Sequence, residues 1–99
     1  MTGVQSSVSK EWNIYIIRTS QGHLYTGITK DVKRRFSEHQ RGGQKAAKYL
    51  RGKGPLALVF EQTLADKSSA LRAESALKRL TKKRKESLVK SQTINELDF

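Results

Sequence analysis

The stretch NIYIIRTSQGHLYTGI, from Asn13 to Ile28, decides how this chain folds. Trp12 to Ile17 is a near-continuous apolar run of β-formers, which reads as a strand buried on both faces. Ser20-Gln21-Gly22-His23 is turn chemistry, and Leu24 to Ile28 is the returning strand of a hairpin. Tyr15 and Tyr25 lie ten positions apart on these strands, and Arg35 follows ten positions later. A hairpin running into a helix would bring two phenols and a guanidinium into one small space. That combination suits the handling of a phosphodiester.

Outward from the hairpin, Asp31 can cap a helix from Val32 to about Arg41, which Gly42-Gly43 ends. Lys45 to Leu50 is expected to form a short helix, and Gly52-Lys53-Gly54-Pro55 a loop. Leu56 to Phe60 reads as a third buried strand. Asp66 can cap a helix from Lys67 to Leu80, with Ala70, Ala73, Ala76, Leu77 and Leu80 as its apolar positions. Thr81 can cap a last helix from Lys82 to about Val89. Residues 1–10 are small and polar and are expected to be disordered, and Ser91–Phe99 is expected to be a weakly structured tail. The domain then spans 11–90. The order β-β-α-(α)-β-α-α gives an α+β fold, a small three-stranded sheet flanked by helices.

With 99 residues, one domain and a modest core are expected. No residue is cysteine, which excludes disulfides, thiolate zinc sites and cysteine nucleophiles and fits a reducing cytoplasm. No apolar run approaches the ~18 residues of a membrane span, and the start MTGVQSSVSKE has no apolar signal segment. The net charge is +11, the footprint of a protein that meets a polyanion. Nine of the 20 Lys and Arg residues fall between Lys30 and Lys53, and seven more between Lys78 and Lys90. Nucleic acid is the leading partner. A membrane surface fits less well, because Lys78–Lys90 has few large apolar residues to insert into lipid.

Helical geometry separates the adjacent arginines. At about 100° per residue, Val32 and Phe36 share a core-facing stripe. Arg35 and His39 are i and i+4 and stack at its edge, while Arg34 points nearly the opposite way. Glu74 sits at the margin of the next helix's apolar stripe and needs a partner there. Two readings stay open: an ion pair with Lys78 at i+4, or an oxygen ligand for a hard cation such as Mg²⁺. Tyr15 and Tyr25 could equally be packing aromatics. Lys45, Lys48, Arg51 and Lys53, with Tyr49 among them, form a candidate nucleic-acid clamp in which Tyr49 could stack on a base. Lys30, Arg34, Lys82 and Lys83 are further candidate phosphate contacts.

Taken together, Asn13-Ile14-Tyr15, Tyr25-Thr26-Gly27, Arg35, His39 and Glu74 resemble the GIY-YIG nuclease superfamily. The resemblance runs from about Trp12 to Val89. The segments LYTGITKDVKRRFSEHQ, AKYLRGKGPLALVF and ALRAESALKRLTKK are most similar to its short stand-alone bacterial members, the YhbQ-like group. It implies an antiparallel three-stranded sheet and cleavage of nucleic-acid phosphodiesters with one divalent metal, Mg²⁺ or Mn²⁺. By position, Tyr15 resembles the first tyrosine, given the role of general base or water activator. Tyr25 resembles the second, which orients water and phosphate, and Arg35 the arginine that stabilises transition-state charge. His39 matches a histidine tied to proton transfer in some branches, and Glu74 the metal-binding glutamate. Asn13 stands in place of the motif's glycine, Thr26 in place of its isoleucine, and Ile28 where the excision-repair branch has lysine. Asn95 is no clear match for the late asparagine.

The expected function is therefore that of a cytoplasmic, metal-dependent endonuclease acting on DNA, with branched or damaged structures as the target and a protein partner supplying recognition. The rival is a catalytically weak nucleic-acid-binding module, on RNA or ribonucleoprotein. A protein–protein adaptor is a weaker third reading. The sequence leaves DNA against RNA, the native metal and the oligomeric state open.

Overall fold

A computed structural model describes residues 10–95 and 97; the segment expected to be disordered lies, apart from Lys10, outside them. The elements are β1 (Trp12–Arg18), β2 (Leu24–Thr29), α1 (Val32–Arg41), a 3-10 turn at Lys48–Leu50, β3 (Ala57–Leu64), α2 (Lys67–Lys78) and α3 (Lys82–Ser91). The three strands form one antiparallel sheet in the order β2-β1-β3. Its centre is the apolar run that opened the sequence reading. Ile14 to Ile17 are each at most 2% exposed, as befits a central strand covered on both faces.

Alternation along β1 divides the interior in two. Ile14 and Ile16 pack with Phe60, Ala73, Leu77, Leu88 and Ile94 under α2 and α3. Tyr15 and Ile17 pack with Val32, Leu50 and Leu56 under α1. Each helix begins where a short polar side chain satisfies its first free amides. Asp31 accepts from Arg34 N–H at 3.0 Å, Asp66 from Ser69 N–H at 2.8 Å, and Thr81 Oγ1 from Arg84 N–H at 3.2 Å. Gly42, at φ 72°, ends α1 as expected from Gly42-Gly43.

Four expectations differ. The third strand runs four residues further, to Leu64, and within it only Phe60 is buried. It is an edge strand, so its polar second half can pair with β1 while facing solvent. Between Ile16 and Ile17 the register slips, leaving a bulge at Val59, whose carbonyl accepts from Gln92 Nε2 at 2.9 Å. Helix α2 stops at Lys78 rather than Leu80, because Thr81 must stand outside a helix to cap α3. The segment Lys45–Leu50 has helical turns only at Lys48–Leu50. Finally, the tail expected to be weakly structured from Ser91 is not so up to Asn95. Gln92 turns the chain through φ 62°, and Ile94 enters the core at 2% exposure.

Two polar clips hold the sheet to its surroundings. Asn13 Nδ2 donates to Thr29 O at 3.2 Å, and Asn13 Oδ1 accepts from Thr63 Oγ1 at 2.7 Å, so one side chain on β1 ties both neighbouring strands. At the other end of β1, Arg18 forms a two-pronged pair with Glu86 of α3, at 2.5 and 2.8 Å.

Candidate active site

Register sets the first contact of the site. Tyr15 on β1 lies opposite Gly27 on β2. The phenol crosses directly over that glycine: a Cβ at position 27 would lie 2.6 Å from Tyr15 Cζ, so no larger residue fits. The Tyr15 hydroxyl is thereby laid across the edge strand. Tyr25, on the same face of β2, brings its ring centroid to 6.4 Å from that of Tyr15.

Helix α1 supplies the next two groups. His39 is 2% exposed, and its Nε2 is 2.9 Å from the Tyr15 hydroxyl oxygen. Its Nδ1 accepts from the backbone N–H of Ala47 at 3.2 Å. An amide can only donate, so the neutral ring carries its proton on Nε2 and donates it to the phenol oxygen. Burial pushes His39 down to about 4, with Arg35 acting in the same direction. The ring is therefore neutral at pH 7. Arg35 is half-buried and donates to Glu38 Oε1 at 2.9 Å and to the Lys45 carbonyl at 2.6 Å. Arg34 points outward, 65% exposed at its side chain.

The electrostatics of Tyr15 report its neighbours. Burial, followed by the adjacent Tyr25, raises it from 10.0 to about 12, while Arg35 pulls it down and Glu74 pushes it up. Thus Arg35 from α1 and Glu74 from α2 both lie within electrostatic reach of one phenol. Glu74 is flanked by the buried Ala73 and Leu77, and its own side chain is 20% exposed. Lys78 Nζ lies 3.4 Å from Glu74 Oε2, so the ion-pair reading of the sequence is realised in this state.

Glu74 is the carboxylate here that could hold a cation. Among the described residues there is no group of three or more His, Cys, Asp or Glu side chains that could hold a metal. A closed cage of the zinc type does not fit this site. One partly exposed carboxylate does fit a hard ion such as Mg²⁺ or Mn²⁺, which keeps several waters and takes phosphate oxygens.

The other candidates surround these groups. Tyr49 stacks on Tyr25, with centroids 6.0 Å apart and planes 16° from parallel, and Lys53 Nζ sits 3.6 Å from the Tyr49 centroid. Lys30, Arg34, Lys45, Lys48, Arg51, Lys82 and Lys83 are all exposed. Lys30 and Arg34 flank the start of α1, Lys45 to Arg51 lie on the segment that reaches Tyr25 through Tyr49, and Lys82 and Lys83 open α3. Sequence reasoning missed Gly27 as a site residue; its signal was the glycine's register opposite a tyrosine. It also missed Ala47, whose role lies in its backbone and leaves no side-chain signal.

Comparison with known proteins identifies the family of this fold. The GIY-YIG catalytic domain family matches residues 11–87. A UPF0213 protein of Cronobacter sakazakii is 58% identical over 80 residues, covering 81% of this chain and 82% of its own. The UPF0213 protein YhbQ of Escherichia coli K12 is 58% identical over 78 residues, 79% of this chain and 76% of its own. Among solved structures, the NMR structure of a UPF0213 protein from Bacillus halodurans is similar with a TM-score of 0.55 and 38% identity, over 87% of this chain and 89% of that one. Its fold supports the three-stranded antiparallel sheet with flanking helices. With its tyrosines, arginine and glutamate around one phenol, the chain belongs to the GIY-YIG family, among the UPF0213 proteins of YhbQ type.

Proposed function

We propose that this GIY-YIG domain is a metal-dependent endonuclease that hydrolyses DNA phosphodiester bonds, with structured repair or recombination intermediates as substrates. The observation that carries the reading is the convergence on the Tyr15 hydroxyl: His39 bonded to it, Tyr25 beside it, and Arg35 and Glu74 acting on it from two helices. Its nucleic-acid half is supported by the +11 net charge.

We assign the following roles, which the geometry supports. Because His39 donates to the Tyr15 oxygen, the phenol's own proton is free to bond outward to water or to a phosphate oxygen. A phenol raised to about 12 is protonated at pH 7, so Tyr15 orients the attacking water as a neutral donor and relay. Arg35 is placed to balance charge as the phosphate becomes pentacoordinate. Tyr25 holds the other side of the phosphate. Glu74 would hold the divalent ion, which supplies Lewis-acid stabilisation of the phosphate and its leaving oxygen. No described helix is long and apolar enough to cross a membrane, which fits the cytoplasmic setting expected for such an enzyme. The rival reading, a binding module of weak catalysis, is favoured by one observation: Lys78 already occupies Glu74.

The deciding experiment incubates wild type and Glu74→Gln with labelled duplex, single-stranded and branched DNA and RNA, with Mg²⁺, Mn²⁺ or chelator. DNA is cleaved by wild type with metal only. Glu74→Gln falls close to background while binding persists, since the amide keeps size and helix propensity but loses the charge a hard cation needs. If Glu74 serves only the ion pair, the substitution costs no more than about 0.5 kcal/mol of stability and leaves cleavage intact. An inactive wild type on every substrate and metal would transfer the assignment to the binding module.

A further inference from the structure

Beside Tyr25 an open groove of about 390 Å³ runs over the free edge of β2. Leu24, Tyr25, Thr26, Tyr49, Lys78 and Lys85 line it. It gathers side chains from both faces of the sheet, because an edge strand leaves nothing beyond it to separate them. Tyr49 is 43% exposed, one of two large apolar side chains left at the described surface, and is supported from within by the Tyr25 stack. Lys53 holds its ammonium over the Tyr49 ring at 3.6 Å, the position a stacked ring would take. Lys78 and Lys85 also line the groove, and Lys78 Nζ lies 3.4 Å from Glu74 Oε2.

We propose that the Tyr49 ring, which lines this groove, is a nucleobase subsite: an unstacked base of the nucleic acid lies on it in the place of Lys53, whose ammonium then meets the adjoining phosphate. Three observations converge on that occupant. An aromatic ring offers a π-face suited to any base. The rim is cationic, which complements the phosphates on either side of a base. The existing cation–π contact can be exchanged for ring stacking while its lysine gains a charged partner. A duplex cannot lay a base on Tyr49 without unpairing it, so the subsite selects frayed, flipped or single-stranded nucleotides. It rests on the nucleic-acid reading of the neighbouring site and adds to it which nucleotide is held and how.

The test uses the whole chain with chelator present, so that binding is read without cleavage. The probe is a trinucleotide carrying 2-aminopurine at its centre, compared with the same backbone made abasic there. Stacking quenches 2-aminopurine fluorescence, and the abasic probe binds about tenfold weaker or worse. Tyr49→Leu, checked for folding by circular dichroism, lowers base-containing affinity to the abasic level. Tyr49→Trp retains or tightens it, a rescue that a purely structural tyrosine would not give. If the base-containing and abasic probes bind alike without quenching while longer DNA is still bound or cleaved, phosphates alone are held and the subsite is refuted. If neither the trinucleotide nor longer nucleic acid binds, the nuclease reading itself fails.

Discussion

The two faces of one small sheet are built by different rules. Under α2 and α3, Ile14, Ile16, Phe60, Ala73, Leu77, Leu88 and Ile94 form an apolar layer, with small alanines letting α2 lie close. Under α1, Tyr15 and Ile17 share the interior with a buried imidazole, and Tyr25 packs against them. Buried polar groups lose hydration and must be bonded, as Tyr15 and His39 are to each other. We expect the first face to be the source of most of the fold's stability; the second gives interior volume to polar groups of the candidate site. Glu74 belongs to the first face by its helix and to the second by its charge, and so joins them.

If that division is correct, substitutions on the two faces should move different observables. Leu77→Ala has the largest expected effect on stability. It empties a fully buried site in the apolar layer and should cost about 3 kcal/mol in denaturant unfolding, with the residual folded protein keeping its specific activity. A loss below about 1 kcal/mol would show that the apolar face is not where stability resides. Arg35→Ala should do the reverse. Cleavage falls roughly 100-fold while nucleic-acid binding changes little, and Arg34→Ala weakens binding with cleavage otherwise intact. Equal effects of the two substitutions in single-turnover assays would break the assignment of chemistry to the α1 face.

Acid should find the α1 face first. His39 has a folded-state value of about 4, below its ordinary 6.5. Between these limits the unfolded chain binds more protons, so stability is full above the ordinary value and is lost as pH falls. From pH 7 to pH 5 the loss should be roughly 2 kcal/mol, and His39→Gln should flatten that slope in urea titrations run at each pH. An unchanged slope would mean that the imidazole is solvated. The smallest effect sharpens the boundary between the faces. Thr26 Oγ1 is buried without a hydrogen-bond partner among the described residues, so Thr26→Val should be neutral or stabilising by up to about 1 kcal/mol. A loss of stability on thermal melting would reveal a bond that the hydroxyl makes.

What could be read in advance was whatever depends on neighbours in sequence. The hairpin, the caps at Asp31, Asp66 and Thr81, and the shared side of Arg35 and His39 all follow from spacings of a few residues. Contacts across the chain were harder. Periodicity placed Glu74 at a helix margin but could not choose between an ion pair with Lys78 and a hard cation, and only family resemblance tied it to a metal beside the tyrosines. Ile94 and Leu97 are two apolar residues in a short polar stretch, too few to set a period, so the burial of Ile94 was not visible. The polar half of β3 carries no strand signal, because an edge strand needs pairing, not hydrophobicity. His39's tautomer is fixed by a backbone amide of Ala47, a residue whose side chain carries no message.

The pairing of Tyr15 with Gly27 makes the turn between β1 and β2 a ruler. No residue of Ser20–His23 is among the groups around the Tyr15 hydroxyl, yet the count of residues there decides which side chains share a face. Shortening it by one and keeping the hairpin would slide the returning strand by one position, and every side chain on it would change sides. Tyr25 would then be turned toward the aliphatic layer, and Ile28 would stand under the phenol where only glycine fits. Loop length in this chain is thus a coding quantity, and relatives that vary the turn should do so in steps that preserve its parity.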